Sequence, residues 1–239
     1  MTDLILHEDV HVELVQHAGT DAGIAHAARV STLADVAANF DSPETLEADN
    51  GLIRYLMRER HGTPFEHNSI TFRVHAPIMV FREWHRHRIQ SYNEQSGRYT
   101  VFKPEFYVPG KDRPLINIGK PARPQMAPAD PELHDWFVND LIEGYEAQWA
   151  RYERALERGI TTEMARMHLQ PSIMSSMYAT ANLRAWLHFL GLRTQDDRAA
   201  HVSRPQREIV MAAEKVEAHL NDLFPVAMEL FNQFGRVAP

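Results

Sequence analysis

Between Arg86 and Tyr99 the chain sets Arg86, His87, Arg88 and Arg98 beside Glu94, Ser96 and Gly97, with little besides Ile89 and two tyrosine rings to serve a core. A run this polar, following an apolar segment, needs partners for its charges. Guanidinium groups favour planar acceptors that take two hydrogen bonds at once, phosphate above all. Ser96-Gly97 adds a hydroxyl and a point where backbone can approach a ligand closely. The chemistry these residues suit is recognition of an anion, with phosphate the leading candidate. Taken alone, Arg86-His87-Arg88 also reads as a solvated helix end, where the dipole favours cations.

Periodicity identifies the elements that must hold this run. Val10–Val15 alternates as a strand with Leu4–Leu6 as its partner, and Asp21–Val30 reads as a helix capped by Thr20 or Asp21. Asn39–Pro43 is turn-like, and Ser42-Pro43 starts a helix that runs to about Arg60. His61–His67 is a connector. Ile70–Ala76 alternates cleanly as a strand, and after Pro77 a helix runs from Ile78 to about Arg88, with Ile78, Phe81 and Trp84 on one face and Glu83 and Arg86 on another. That helix would present Arg86 at its C-terminal end, a rigid mount for a site. Arg98–Val108 reads as a strand and the proline-rich Pro109–Pro131 as a long loop. Asp130-Pro131 caps a long helix whose apolar stripe runs from Leu133 to Leu156, a core or subunit-interface face, and Gly159 ends it. A short helix covers Thr162–His168. Ile173–Ala181 reads as a strand, Asn182 caps a helix over Leu183–Arg193, Ser203 caps a long helix, and a short one follows Pro225.

At 239 residues, 44% apolar and 24% charged, the chain can bury a sizeable core. A net charge of −7 argues against binding nucleic acid by bulk charge, so an anion site must be a local basic pocket. There is no cysteine, which removes disulfides, thiolate metal sites and a cysteine nucleophile and fits the cytoplasm. No apolar run reaches transmembrane length, and the N-terminus lacks the pattern of a signal peptide. The 14 histidines raise a metal question. His85-x-His87 and His61…His67 could offer imidazoles, but arginines crowd them and no His-Glu-x-x-His motif is present.

The block Arg86-His87-Arg88…Ser96 resembles the signature of the flavin-dependent thymidylate synthases. His61-Gly62-Thr63-Pro64-Phe65-Glu66-His67, Glu163-Met164-Ala165-Arg166, Asn182-Leu183-Arg184 and His188-Phe189-Leu190-Gly191-Leu192-Arg193 match further blocks of that family, in order and with compatible spacing. The resemblance runs from about Val10 to Leu230, with Leu33–Glu47 and Gly110–Asp130 as loop-length variations.

It implies a single domain over residues 1–239 with an α+β fold of the thymidylate synthase-complementing type: a twisted, mainly antiparallel sheet and long packed helices. It implies a methyltransferase that converts dUMP to dTMP, with 5,10-methylenetetrahydrofolate as methylene donor, FAD as hydride carrier and NADPH as reductant. It also implies a cytoplasmic homotetramer whose active sites are shared between subunits, with no metal, no nucleic acid and no membrane. The lack of cysteine separates the chain from the other thymidylate synthase family, which attacks the pyrimidine through a thiolate.

Position by position, the resemblance puts Arg86, Ser96, Gly97 and Arg98 at the dUMP phosphate, with Glu83 beside them, and Arg166 and Arg193 at the uracil, Arg193 polarising it. His61, Thr63, Arg86, His87, Arg88, Asn182, Arg184 and His188 would bind FAD, and Glu94 would lie between nucleotide and flavin. The residues are chemically suited to this, since two anionic ligands need several fixed cations and arginine does not lose its proton. The bland readings are an ion pair at i, i+3 for Glu163 and Arg166, a generic turn at Thr63-Pro64 and a generic cap at Asn182. Two rival classes are a metal-dependent hydrolase, which would carry a stoichiometric metal and no flavin, and a non-catalytic nucleotide-binding module, which would bind dUMP without reduction of flavin by NADPH.

Overall fold

The computed structural model describes residues 2–32, 43–120 and 125–239, so the turn read at Asn39 to Ser42 lies outside the described residues. In chain order the elements are β1 (Ile5–His7), β2 (His11–Ala18), α1 (Asp21–Arg29), α2 (Pro43–Arg58), β3 (Ser69–Pro77), α3 (Ile78–Trp84), β4 (Ser91–Glu94) and β5 (Glu105–Tyr107). They continue with β6 (Ile116–Asn117), β7 (Met126–Ala127), α4 (Pro131–Glu157), α5 (Thr162–Ala165), β8 (Met174–Ala181), α6 (Leu183–Arg193), α7 (Arg207–Leu223) and α8 (Pro225–Gln233). The fold is α+β, with a mainly antiparallel four-stranded sheet in the order β2-β3-β8-β4. The residues gather into two compact units: Met1–Val10, His75–Glu83 and Glu94–Ser176 form one; His11–Val74, Trp84–Asn93 and Met177–Pro239 form the other.

In the second unit an aromatic cluster packs the sheet against α6. Phe72 meets Trp186 edge-on at 5.0 Å and Trp84 lies 4.5 Å from Phe189. Strand β3 alternates as its sequence predicts: Ile70, Phe72, Val74 and Ala76 are buried while Arg73 is exposed on the other face, where Thr71 is the buried exception. Helix α6 starts where the sequence predicts, because the Asn182 side chain accepts from the Ala185 N–H at 2.9 Å. A second amide oxygen, from Asn68, takes the Leu183 N–H at 2.6 Å. Leu183, Trp186, Leu187, Phe189 and Leu190 are buried, which leaves Arg184, His188 and Arg193 the remaining faces.

In the first unit the core forms between α4 and the β5 region. Phe106 stacks on Tyr145 at 4.6 Å, the Tyr145 hydroxyl donates to the Tyr107 carbonyl at 2.9 Å, and the Tyr152 hydroxyl accepts from the Phe102 N–H at 3.2 Å. Asp130 caps α4 through the Leu133 N–H at 2.9 Å, and Gly159, at φ 82°, ends it. Tyr145, Trp149 and Tyr152 are core residues, whereas Leu133 at the start of the stripe is exposed.

Several expectations are corrected. Helix α3 ends at Trp84, not Arg88, since the Trp84 indole donates to Gln90 Oε1 at 3.0 Å and the Tyr92 hydroxyl to the Trp84 carbonyl at 3.2 Å, closing a turn. Arg86 and Arg88 therefore lie beyond the helix. The strand read over Arg98–Val108 shrinks to β5, because the Ser96 carbonyl collects the N–H groups of Tyr99 and Thr100, both at 3.1 Å, in a turn. The strand in this region that pattern did not reveal is β4. The partner of β1 is β5, in parallel, with Leu6 opposite Phe106. Pro109–Pro131 contains the β6–β7 pair. Helix α7 begins at Arg207 under Gln206; Ser203 instead donates to the Leu192 carbonyl at 2.7 Å, since Pro205 keeps Arg204 out of helical conformation.

Candidate active site

The larger cavity, about 600 Å³, lies in the second unit and is lined by Arg86, His87 and Arg88 from the turn after α3 and by Asn182, Arg184 and His188 from α6 and its cap. Three guanidinium groups around one space suit a ligand with more than one phosphate charge. Glu66 pairs with Arg184 at 2.6 Å, and Arg184 also donates to the Pro239 carbonyl. The backbone at Gly62 presses on this arginine: a Cβ there would stand 2.3 Å from Arg184 Nε. Asn68 ties that connector down by donating to the Phe65 carbonyl at 3.0 Å while holding α6 through Leu183. His61 and Thr63 flank Gly62 and do not line the cavity; the His61 ring meets Tyr55 edge-on at 5.6 Å.

Arg193 closes the last turn of α6. Its Nε donates to His87 Nε2 at 2.9 Å. His87 is buried, and its ring packs edge-on against Phe189 at 4.9 Å and faces His188 at 5.9 Å. Burial first, then the Arg193 guanidinium and then His188, hold this imidazole down at about 4. It is a neutral acceptor at ordinary pH.

The smaller cavity, about 160 Å³, lies in the first unit and is lined by Arg82, Glu94, Gln95, Gly97, Arg166 and Gln170, with Phe102 and Ile173 among its apolar residues. Glu94 Oε1 accepts from the Ser175 hydroxyl at 3.3 Å. Gly97 is buried, and a Cβ on it would stand 2.3 Å from Phe102 Cε2 and 3.1 Å from Arg166 Cδ. Ser96 Oγ accepts from the Arg98 N–H at 3.3 Å, so the hydroxyl shapes the turn. Arg98 pairs through Nε with Glu163 at 2.9 Å, while Arg166 Nε donates to the Glu163 backbone carbonyl at 3.2 Å. The Glu163 carboxylate thus meets Arg98, not Arg166.

Of the residues named from sequence, Arg86, His87, Arg88, Asn182, Arg184 and His188 share the larger cavity, and Glu94, Gly97 and Arg166 share the smaller. Glu83, Ser96, Arg98 and Arg193 line neither of these two cavities. Sequence reasoning missed Glu66, Ile89 and Gln90 in the first and Arg82, Gln95 and Gln170 in the second. Arg82 gave no signal: it is exposed on α3, away from the face of Ile78, Phe81 and Trp84, an ordinary place for an arginine.

The family model described as thymidylate synthase complementing protein matches residues 13–226. The chain is 47% identical over 235 residues to a flavin-dependent thymidylate synthase of Streptomyces coelicolor, covering 98% of this chain and 95% of the relative. It is 43% identical over 237 residues to one from Tropheryma whipplei, covering 99% and 98%. The crystal structure of a UMP/dUMP methylase PolB from Streptomyces cacaoi bound with 5-Br UMP is similar at a TM-score of 0.91 and 44% identity, covering 99% of both chains. The same methylase bound with 5-Br dUMP gives the same TM-score and identity.

Proposed function

The chain belongs to the thymidylate synthase complementing protein family, and we propose that residues 1–239 form one flavin-dependent thymidylate synthase domain that methylates dUMP to dTMP. The observation that carries this reading is the convergence of Arg86, Arg88 and Arg184 on one cavity of about 600 Å³. That donor set fits the diphosphate of FAD. We assign Arg86, Arg88 and Arg184 to the phosphates, with His61, Thr63, His87, Asn182, His188 and Glu94 as further FAD contacts. When bound, FAD supplies the hydride chemistry, with NADPH as the reductant and 5,10-methylenetetrahydrofolate as the methylene source.

The protein's own part is placement and charge. Gly97 leaves room at the smaller cavity, where Arg166 and Arg82 offer fixed cations to dUMP. Ser96 shapes the turn that carries Arg98, and Arg86 and Glu83 complete the nucleotide set. Arg193 stabilises negative charge on the uracil carbonyls, a role suited to a group that keeps its proton. No cysteine exists to attack the ring, and Ser96 binds rather than attacks. The enzyme acts as a homotetramer with active sites shared between subunits, in the cytoplasm where its nucleotide and folate substrates circulate. Among the described residues no helix is long and apolar enough to cross a membrane.

The purified protein is expected to show flavin absorption that responds to dUMP, and to make dTMP from dUMP with methylenetetrahydrofolate and NADPH. No dTMP after reconstitution with FAD rejects the reading. A second reading is that UMP is also methylated, favoured by the likeness to a methylase solved with both 5-Br UMP and 5-Br dUMP. The ratio of kcat/KM for dUMP and UMP decides it.

A further inference from the structure

Apart from both cavities, the first unit brings together His7 at the end of β1, His75 near the end of β3 and Glu105 at the start of β5. One ligand atom from each lies within 4.8 Å of the others, and among the described residues this is the group of three so arranged. His75 Nε2 stands 3.0 Å from Glu105 Oε2, and His7 Nε2 stands 3.9 Å from the same oxygen. The two imidazoles meet edge-on, 5.8 Å between centroids. None of His61, His67, His85 or His87, the imidazoles that the sequence offers for a metal, belongs to this group.

Two details distinguish the cluster from an ordinary ion pair. His75 Nδ1 is 3.0 Å from the Ser176 hydroxyl, which fixes the ring and aims Nε2 at Glu105. Metal-bound histidines are oriented in this way, by a hydrogen bond at the nitrogen that does not ligate. His7 Nε2 is sealed from solvent and has no hydrogen-bond partner. A buried nitrogen in that state is unfavourable unless something else takes its lone pair.

We propose that His7, His75 and Glu105 form a divalent metal site whose ion is Zn²⁺. Two imidazole nitrogens and one carboxylate oxygen are a zinc donor set, with a fourth position left for water, whereas Ca²⁺ and Mg²⁺ favour all-oxygen sets. Zinc bonds of about 2.0–2.1 Å at tetrahedral angles put ligands about 3.3 Å apart. The 3.0 and 3.9 Å separations bracket that value, so small side-chain adjustments close the site. Lys103 Nζ lies 3.8 Å from the other Glu105 oxygen, but its side chain is 79% exposed and free to swing away from a bound cation. The ion takes the place of the direct contact between His75 Nε2 and Glu105 Oε2. Its role is structural: it ties the three-residue strand β1 to the start of β5 and the end of β3.

The test is zinc titration of the full-length, flavin-loaded protein after chelator treatment, followed by calorimetry and metal analysis. One equivalent of Zn²⁺ per chain is expected, with a melting temperature that rises with zinc concentration. H75A and E105Q are each expected to weaken binding by ten-fold or more, and S176A by about ten-fold through loss of orientation. H17A, an exposed histidine on β2, should leave binding unchanged. If H75A does not fold, H7Q provides the same readout from the more exposed edge of the cluster. A wild-type chain that binds no zinc, or stoichiometric binding that persists in both H7Q and E105Q, overturns the site.

Discussion

Arg193 donates from Nε to Nε2 of the buried His87 at 2.9 Å, so a neutral imidazole orients a permanent cation. The hydrogen bond fixes the plane of the guanidinium. Arginine has no acceptor, so His87 must receive at Nε2 and carry its own proton on Nδ1. The pair lies between Arg-His-Arg and the last turn of α6, which connects two separate sequence blocks through one hydrogen bond.

The same pair makes stability depend on pH. His87 is lowered from 6.5 to about 4, so the unfolded chain binds a proton that the folded chain refuses. The contribution is fully present above pH 6.5 and is lost as pH falls through about 4. At ~1.4 kcal/mol per unit this amounts to roughly 3 kcal/mol. Melting curves between pH 7 and 4 are expected to fall less steeply for His87→Gln than for wild type, because Gln keeps an acceptor and does not titrate. Parallel pH profiles for the two would remove the linkage.

Arg193→Ala is expected to lower kcat by about a hundred-fold or more, as for loss of a fixed donor at developing charge. Its circular dichroism should be unchanged and flavin should still bind. Arg193→Lys should recover little, since an ammonium cannot offer Nε to His87 and a second N–H to a carbonyl in one plane. Retention of most of the turnover in Arg193→Ala would remove the uracil-polarising role.

The end of α6 has its own support. Arg236, almost fully buried, pairs with Glu217 at 2.7 Å and donates to Thr194 Oγ1 at 2.9 Å, one residue beyond Arg193. Glu217→Ala is expected to cost about 2 kcal/mol in urea unfolding, below the roughly 3–5 kcal/mol of a fully stranded buried charge. Asp196, 3.5 Å from Arg236, supplies the remaining compensation. No change in the unfolding midpoint would show that the pair adds nothing net.

What could be read from sequence follows the range of the forces involved. The boundaries of α6 and the caps at Asn182 and Asp130 were legible because a cap is a local side-chain-to-backbone bond within three residues. The end of α3 was not, because Trp84 is released from helix by contacts to Gln90 and Tyr92, which periodicity cannot register. Strand β4 was hidden for a related reason: Ser91–Glu94 is polar, and its place beside β8 is a tertiary fact. In the site, the arginines were legible by type. Their partners were not, and so Arg98 with Glu163 and Arg193 with His87 emerge only in three dimensions.

The two close backbone approaches offer a way to separate flavin from nucleotide binding. A methyl group at position 62 would meet Arg184 Nε at 2.3 Å, Arg184 Cζ at 2.6 Å and the Pro239 carbonyl at 2.7 Å, so Gly62→Ala must displace the guanidinium from the larger cavity. A methyl group at position 97 would meet Phe102 and Arg166 at the smaller cavity. Neither glycine has positive φ, so the effect of each substitution is steric rather than conformational. Gly62→Ala is expected to weaken FAD binding by about ten-fold, equivalent to ~1.4 kcal/mol, with little change in KM for dUMP once FAD is saturating. Gly97→Ala should do the reverse, raising KM for dUMP by a similar factor while flavin content per chain stays at the wild-type level. Absorbance of the purified variants gives flavin occupancy, and initial rates against dUMP at saturating FAD give KM. If both variants lose flavin and nucleotide affinity together, the two cavities do not serve separate ligands and the assignment of Arg184 to FAD and Arg166 to dUMP fails.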